Sequence, residues 1–210
     1  MNKLLISPVN IVEEVINSAT HGIGAVFSII GLILGIMALS KPAIFTVSFI
    51  LYTSSLIILM LASSIYHALI FTKASKVLRI LDHNAIFLLI AGSYTPFIVF
   101  LYSGWAKIVL LILIWSLAIL GITLKSTIPK AMMKYGMIIY IALGWLALIF
   151  IPKLSLIPPK VAYLLFIGGL LYSCGAIFLR FKKPFMHSAW HLFVMFAAGT
   201  HYLAITIMLS

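Results

Sequence analysis

Acidic side chains are nearly missing from this sequence: 210 residues hold three, Glu13, Glu14 and Asp82. A carboxylate-bridged di-iron centre needs more carboxylates than that, so this chemistry is excluded. There is one cysteine, Cys174, which rules out an internal disulfide and any Cys-x-x-Cys motif. Charge of either sign is scarce, at 8% of residues, where a soluble domain carries roughly 25%. No phosphate-binding P-loop and no Gly-x-Ser-x-Gly nucleophile elbow is present. An uninterrupted apolar run near the start is lacking too. Pro8, Asn10, Glu13 and Glu14 break it up, so a cleavable signal peptide is not expected.

What fills the space is apolar. Hydrophobic residues make up 64% of the chain, and mean hydropathy is +1.26. These values predict a multi-pass integral membrane protein, expected in the cell (plasma) membrane, with room for seven spans of about 20 residues each. Apolar runs between charges predict an all-α, seven-transmembrane-helix bundle. The expected spans are Ala19–Ser40, Pro42–Phe71, Ile80–Tyr102, Trp105–Leu124, Met132–Ile151, Lys160–Leu179 and Phe185–Leu209. Residues 1–210 form a single domain on this reading. A short amphipathic segment at about 8–18 lies on the membrane surface, with Glu13 and Glu14 as its wet face. Pro42, Pro129, Pro152, Pro158, Pro159 and Pro184 fall at helix ends. Pro96 lies inside the third span, after Gly92-Ser93-Tyr94-Thr95, where it should bend the helix. Small residues recur on the first span (Gly24, Ser28, Gly31, Gly35) and on the sixth (Gly168, Gly169, Ser173, Gly175), as close helix contacts require.

The net charge of +11 is spread over short loops, which points to topology and anionic headgroups and not to nucleic acid. Lys3, Lys73, Lys76, Arg79, Lys125, Lys130, Lys134, Arg180, Lys182 and Lys183 fall on one side; Lys41, Lys107, Lys153 and Lys160 fall on the other. This asymmetry places the N-terminus in the cytoplasm.

Ionisable residues within spans mark functional sites by default. His67 at the end of the second span, Asp82 at the start of the third, and His187 and His191 at the start of the seventh share one membrane depth. His187-x-x-x-His191 puts two imidazoles on one helical face, about 6 Å apart in depth. Ser63 stands one turn from His67 on the same face. Three imidazoles with one open position is the arrangement of a catalytic zinc site. There, bound water has its pKa lowered to about 7, and Asp82 is placed to hold that water or take its proton. Haem ligation by paired histidines is the competing metal reading, but it leaves Asp82 and one histidine unexplained. A proton or ion pathway would spread such groups through the membrane, whereas these gather at one end. His83 points about 100° away from Asp82 on the helix and receives no role. His201 lies about 15 Å deeper than His191 and reads as a satisfied contact in the bundle. His21 reads as either packing or support for the site.

At these residues the sequence resembles the bacterial haemolysin III family of the progestin and adipoQ receptor superfamily. The stretches that carry the resemblance are Glu13-Glu14 with Asn17, Thr20-His21-Gly22, Ser63-x-x-Tyr66-His67, Asp82-His83, Ala91-Gly92-Ser93-Tyr94-Thr95-Pro96, His187-x-x-Trp190-His191 and His201-Tyr202. The resemblance implies a zinc ion held by His67, His187 and His191, with Asp82 contacting a zinc-bound water and Ser63 supporting the site. Adiponectin receptors and alkaline ceramidases in this group look like lipid amidases, which implies hydrolysis of a membrane lipid. The very short N-terminal region argues against a protein hormone as partner. The other reading of the same resemblance is a non-enzymatic membrane sensor, channel component or cytolysin in which zinc is structural.

Overall fold

The computed structural model describes residues 8–39, 42–181 and 183–210, with side chains described for all of these except 8 and 130–134. Among them are seven helices long and apolar enough to cross a membrane. These are α1 (Pro8–Ala38), α2 (Ala43–Ala68), α3 (Ser75–Leu101), α4 (Gly104–Thr127), α5 (Pro129–Trp145), α6 (Pro159–Phe178) and α7 (Met186–Leu209). Backbone polar groups in lipid must be satisfied within their own segment, and this restricts a span of this kind to helix. The outward surface is correspondingly apolar: Phe27, Met37, Ile112 and Phe196 are largely exposed, as lipid-facing side chains should be.

Two segments depart from the sequence expectation. The amphipathic stretch at 8–18 is not a separate surface helix; it is the first third of α1, which runs 31 residues without a break. No proline or glycine separates the two parts before Gly22, so nothing in the chain ends the helix there. The fifth span changes type midway. At Leu146 the α-helix tightens into a 3-10 helix that continues to Leu156 and contains Pro152. Pro152 therefore sits inside this segment and not at a helix end. The Tyr94 hydroxyl donates to the carbonyls of Leu143 and Gly144, both at 2.8 Å, just before the change.

α3 is the most buried helix, while α5 and its 3-10 extension form the least buried flank. α1 packs on α2, α2 on α3, α3 on α4, and α6 on α7, with α7 closing back onto α1. Lipid supplies no hydrophobic drive between helices, so close approach and interhelical hydrogen bonds hold the bundle. The glycines of α1 serve this purpose. A Cβ at Gly24 would meet Met60, one at Gly31 would meet the Tyr202 ring, and one at Gly35 would overlap Phe49. Tyr202 also donates its hydroxyl to the Gly31 carbonyl at 2.8 Å. On α6, Gly168 makes room for His201 and Gly175 for Phe193, while Ser173 accepts the Trp145 indole at 3.0 Å. Ser18 and Ser64 clasp α1 to α2 by reciprocal bonds to each other's carbonyls, 3.0 and 2.8 Å long. α3 runs continuously through Pro96, and the Thr95 hydroxyl donates to the Ala91 carbonyl there at 2.8 Å.

Candidate metal centre

The clasp at Ser18 and Ser64 fixes the register of α1 against the end of α2, and this sets the surroundings of His67. The end of α2, the start of α3 and the start of α7 meet there. His67, His187 and His191 come together so that one ligand atom from each lies within 4.8 Å of the others. Their ring centroids are 4.8 to 5.0 Å apart. His67 and His191 are buried, and His187 is half-buried. Each carries one buried ring nitrogen with no hydrogen-bond partner: Nε2 of His67, Nε2 of His187 and Nδ1 of His191. A buried polar atom left unpaired costs about 1–3 kcal/mol. Three such lone pairs gathered at one point fit a cation, and three nitrogens with an open fourth position suit zinc.

The opposite nitrogens of two of these rings are tied down by α1. His67 Nδ1 lies 2.5 Å from Glu14 Oε2; the imidazole donates and the carboxylate accepts, which leaves Nε2 as the free lone pair. His191 donates to the Asn17 main-chain carbonyl, which leaves Nδ1. Asn17 is itself fixed, since its Oδ1 accepts from Ser188 Oγ at 2.6 Å. His21 stacks on His191 with centroids 3.7 Å apart and planes 14° from parallel. Glu14, Asn17 and His21 recur at helical spacing, so one face of α1 braces the histidines. Glu14 is thus not a wet face of a surface helix. It is an imidazole-orienting carboxylate, of the kind metal-bound histidines usually carry. Glu14→Ala is expected to weaken zinc binding by about 10- to 100-fold, measured by competition with a chromophoric chelator. An unchanged affinity would remove Glu14 from the site.

A cavity of about 230 Å³ opens beside the histidines, lined by His21, Ser63, Asp82, His83, His187 and His191 among others. Asp82 is only 8% exposed, and the Ser63 hydroxyl hydrogen-bonds its carboxylate. The structure therefore brings together all five residues singled out in the sequence. It also adds His83, which reaches the cavity although it is turned away from Asp82. Arg79 and Lys125 line the cavity as well. His201 stays apart from the cluster, with its Nε2 3.3 Å from the Leu165 carbonyl. The chain enters α7 through Phe185 in the left-handed region, at φ 63°. That backbone is costly for a bulky residue, and it lies two residues before His187.

A second cavity, of about 420 Å³, continues from the first toward the middle of the membrane. The two share Leu59, Ile86, Met137, Tyr140, Trp190 and Val194. Its deeper wall is almost wholly apolar and is built from α3, α5, the 3-10 segment, α6 and α7.

Fold and site together define a class: seven-helix integral membrane proteins with a three-histidine cluster at one end of the bundle. Comparison with known proteins gives the family. A family description, "Haemolysin-III related", matches residues 9–202. The chain is 43% identical to Hemolysin-3 of Bacillus cereus over 187 residues, covering 87% of this chain and 85% of the relative. It is 39% identical to the Hemolysin-3 homolog of Bacillus subtilis over 187 residues, 87% and 88% of the two chains. The human monocyte to macrophage differentiation factor is 26% identical over 200 residues, 92% of this chain and 83% of that one. The chain belongs to the haemolysin III family, with a distant link to that protein of the progestin and adipoQ receptor type.

Proposed function

We propose that this protein is a zinc-dependent membrane hydrolase that cleaves an amide or ester bond of a lipid. The observation that carries the reading is that the cavity lined by Asp82, His187 and His191 runs on into a larger, almost wholly apolar one. A lipid has the same layout: an apolar chain joined through a carbonyl linkage to a polar head. With the chain in the 420 Å³ cavity, the linkage comes to the smaller cavity beside the histidines.

His67, His187 and His191 would hold the zinc, which when bound supplies an activated water and polarises a carbonyl. The remaining tasks fall to the chain itself. Glu14 and Asn17 keep the imidazoles of His67 and His191 aimed. Asp82, held by Ser63, accepts the proton of the attacking water and returns it to the leaving group. The apolar cavity excludes bulk water from the far side of the linkage. A target bilayer whose lipids are converted to single-chain products loses cohesion, which offers a chemical route to the lysis that the relatives' name describes.

Two experiments test this reading. Purified protein in lipid nanodiscs is expected to release fatty acid from at least one member of a labelled panel of acyl lipids, and a chelator is expected to stop the release. Reporter fusions at Ser210 and in the loop containing Lys73 and Lys76 are expected to fall on opposite sides of the membrane, the loop inside. Finding both in the cytoplasm would overturn the orientation that puts the histidines at the cytoplasmic end of the bundle. Lys3, Lys41 and Lys182, which contribute to the orientation, lie outside the described residues.

A further inference from the structure

His201 is the histidine that the metal centre leaves over. It lies about 15 Å deeper in the bundle than His191, and an ionisable side chain at such a depth has a functional counterpart by default. Half of the ring is accounted for. Its Nε2 stands 3.3 Å from the Leu165 carbonyl. A carbonyl only accepts, so Nε2 carries the proton and Nδ1 keeps the lone pair. The Cδ2–Nε2 edge lies against Gly168 on α6, where an added Cβ would overlap it; the Nδ1 edge faces the other way. The helix shows what lies there. His201 falls on the same stripe of α7 as Trp190, Val194 and Ala197, opposite the exposed Leu192, Phe196, Gly199 and Leu203. Trp190, Val194 and His201 line the apolar cavity of about 420 Å³.

Tyr172 on α6 is the second observation. It lines the same cavity, with its ring edge-on to His201 at 5.5 Å between centroids and 69° between planes. Among the described residues nothing hydrogen-bonds the Tyr172 hydroxyl or Nδ1 of His201, and neither atom is sealed in the packing. Other polar side chains of this wall are engaged. Ser93 donates to the Leu89 carbonyl, Tyr94 to Leu143 and Gly144, Tyr140 to His83, and the Trp145 indole to Ser173. A hydroxyl donor and an imidazole acceptor are thus left together on an otherwise apolar surface, where unpaired polar groups are costly. One ligand group pairs with both if it accepts from Tyr172 and donates to His201, and an alcohol does this.

We propose that Tyr172 and His201 form a hydroxyl-binding subsite within the apolar cavity, and that the lipid taken there carries a hydroxyl far along its acyl chain. This rests on the reading of the cavity as the place of a lipid chain, and it narrows the substrate class from acyl lipids to hydroxyacyl lipids. With the linkage level with His191, the subsite lies about 15 Å further in. An extended chain advances about 1.2 Å per bond, which puts the hydroxyl near the twelfth carbon.

The test is a binding measurement that needs no turnover. Full-length protein in phosphatidylcholine nanodiscs is titrated with octadecanoic acid and with its 6-hydroxy and 12-hydroxy derivatives, and binding to empty nanodiscs is subtracted. The 12-hydroxy acid is expected to bind about tenfold more tightly than the plain acid. The 6-hydroxy acid, whose hydroxyl falls short of the pair, is expected to bind no more tightly than the plain one. Tyr172→Phe, which deletes one oxygen and keeps the ring, is expected to abolish most of the 12-hydroxy preference. His201→Ala is expected to do the same, and Tyr172→Phe keeps the test decisive if the alanine variant folds poorly. Equal binding of the 12-hydroxy and plain acids would overturn the proposal. So would equal gains from the 6-hydroxy and 12-hydroxy positions, or a preference retained in full by Tyr172→Phe. Failure of the hydrolase reading is distinct. It would appear as a 12-hydroxy preference with no cleavage of any acyl lipid, whereas cleavage of plain and 12-hydroxy acyl lipids with equal binding of the two acids would defeat only the subsite.

Discussion

Asp82→Asn is expected to lower the rate of lipid cleavage by at least ~10²-fold, the usual contribution of a positioned general base, while the folded protein keeps its zinc. The substitution preserves the shape of the side chain and its contact with Ser63, and removes only the ability to take a proton. Asp82 is not one of the three clustered imidazoles, so metal content should be unaffected. Initial rates and metal analysis on the same preparation check both halves. Undiminished turnover with full zinc would take the proton-accepting role from Asp82. Ser63→Ala, which frees the carboxylate without deleting it, should give a smaller loss.

The other large effect concerns the metal itself. Wild-type protein is expected to carry about one zinc per chain and no haem absorption. His191→Ala should reduce that to a small fraction, because two imidazoles make a poor tetrahedral site. His201→Ala should leave zinc nearly unchanged, since His201 bonds the Leu165 carbonyl on α6 and stands apart from the cluster. Metal analysis by mass spectrometry after exhaustive dialysis reads these differences directly. Full zinc retention in the His67→Ala, His187→Ala double variant would place the ion elsewhere.

The fold was legible because hydropathy reports lipid exposure, and seven apolar runs separated by charge leave little choice of architecture. The histidines and Asp82 were legible because ionisable groups stand out against such runs, and because their positions at span ends encode a common depth. Other features were hidden for identifiable reasons. Glu14 looked like the polar face of a surface helix, since two adjacent acids on an amphipathic segment normally are. Only the unbroken course of α1 past the end of α2 brings it to His67. Asn17 acts through its main-chain carbonyl as well as its side chain, and sequence carries no signal for the former. Lys125 was indistinguishable from a topology lysine, yet it is one of the buried residues of α4. The change from α to 3-10 helix at Leu146 has no strong local marker, because the only proline in the segment, Pro152, lies six residues further on.

The same distinction between side-chain identity and placement separates a catalytic zinc from a structural one. A clamp that ties α2 to α7 would be completed by a fourth protein ligand; a hydrolytic centre keeps one position for water. His21 is the nearby candidate for such a ligand, buried and stacked on His191. X-ray absorption at the zinc edge on the purified protein counts the ligands directly. Three imidazole nitrogens at about 2.0–2.1 Å with one oxygen from water are the result this account predicts. Four imidazole nitrogens and no oxygen, unchanged in Asp82→Asn, would contradict it and make the metal a fastener between helices.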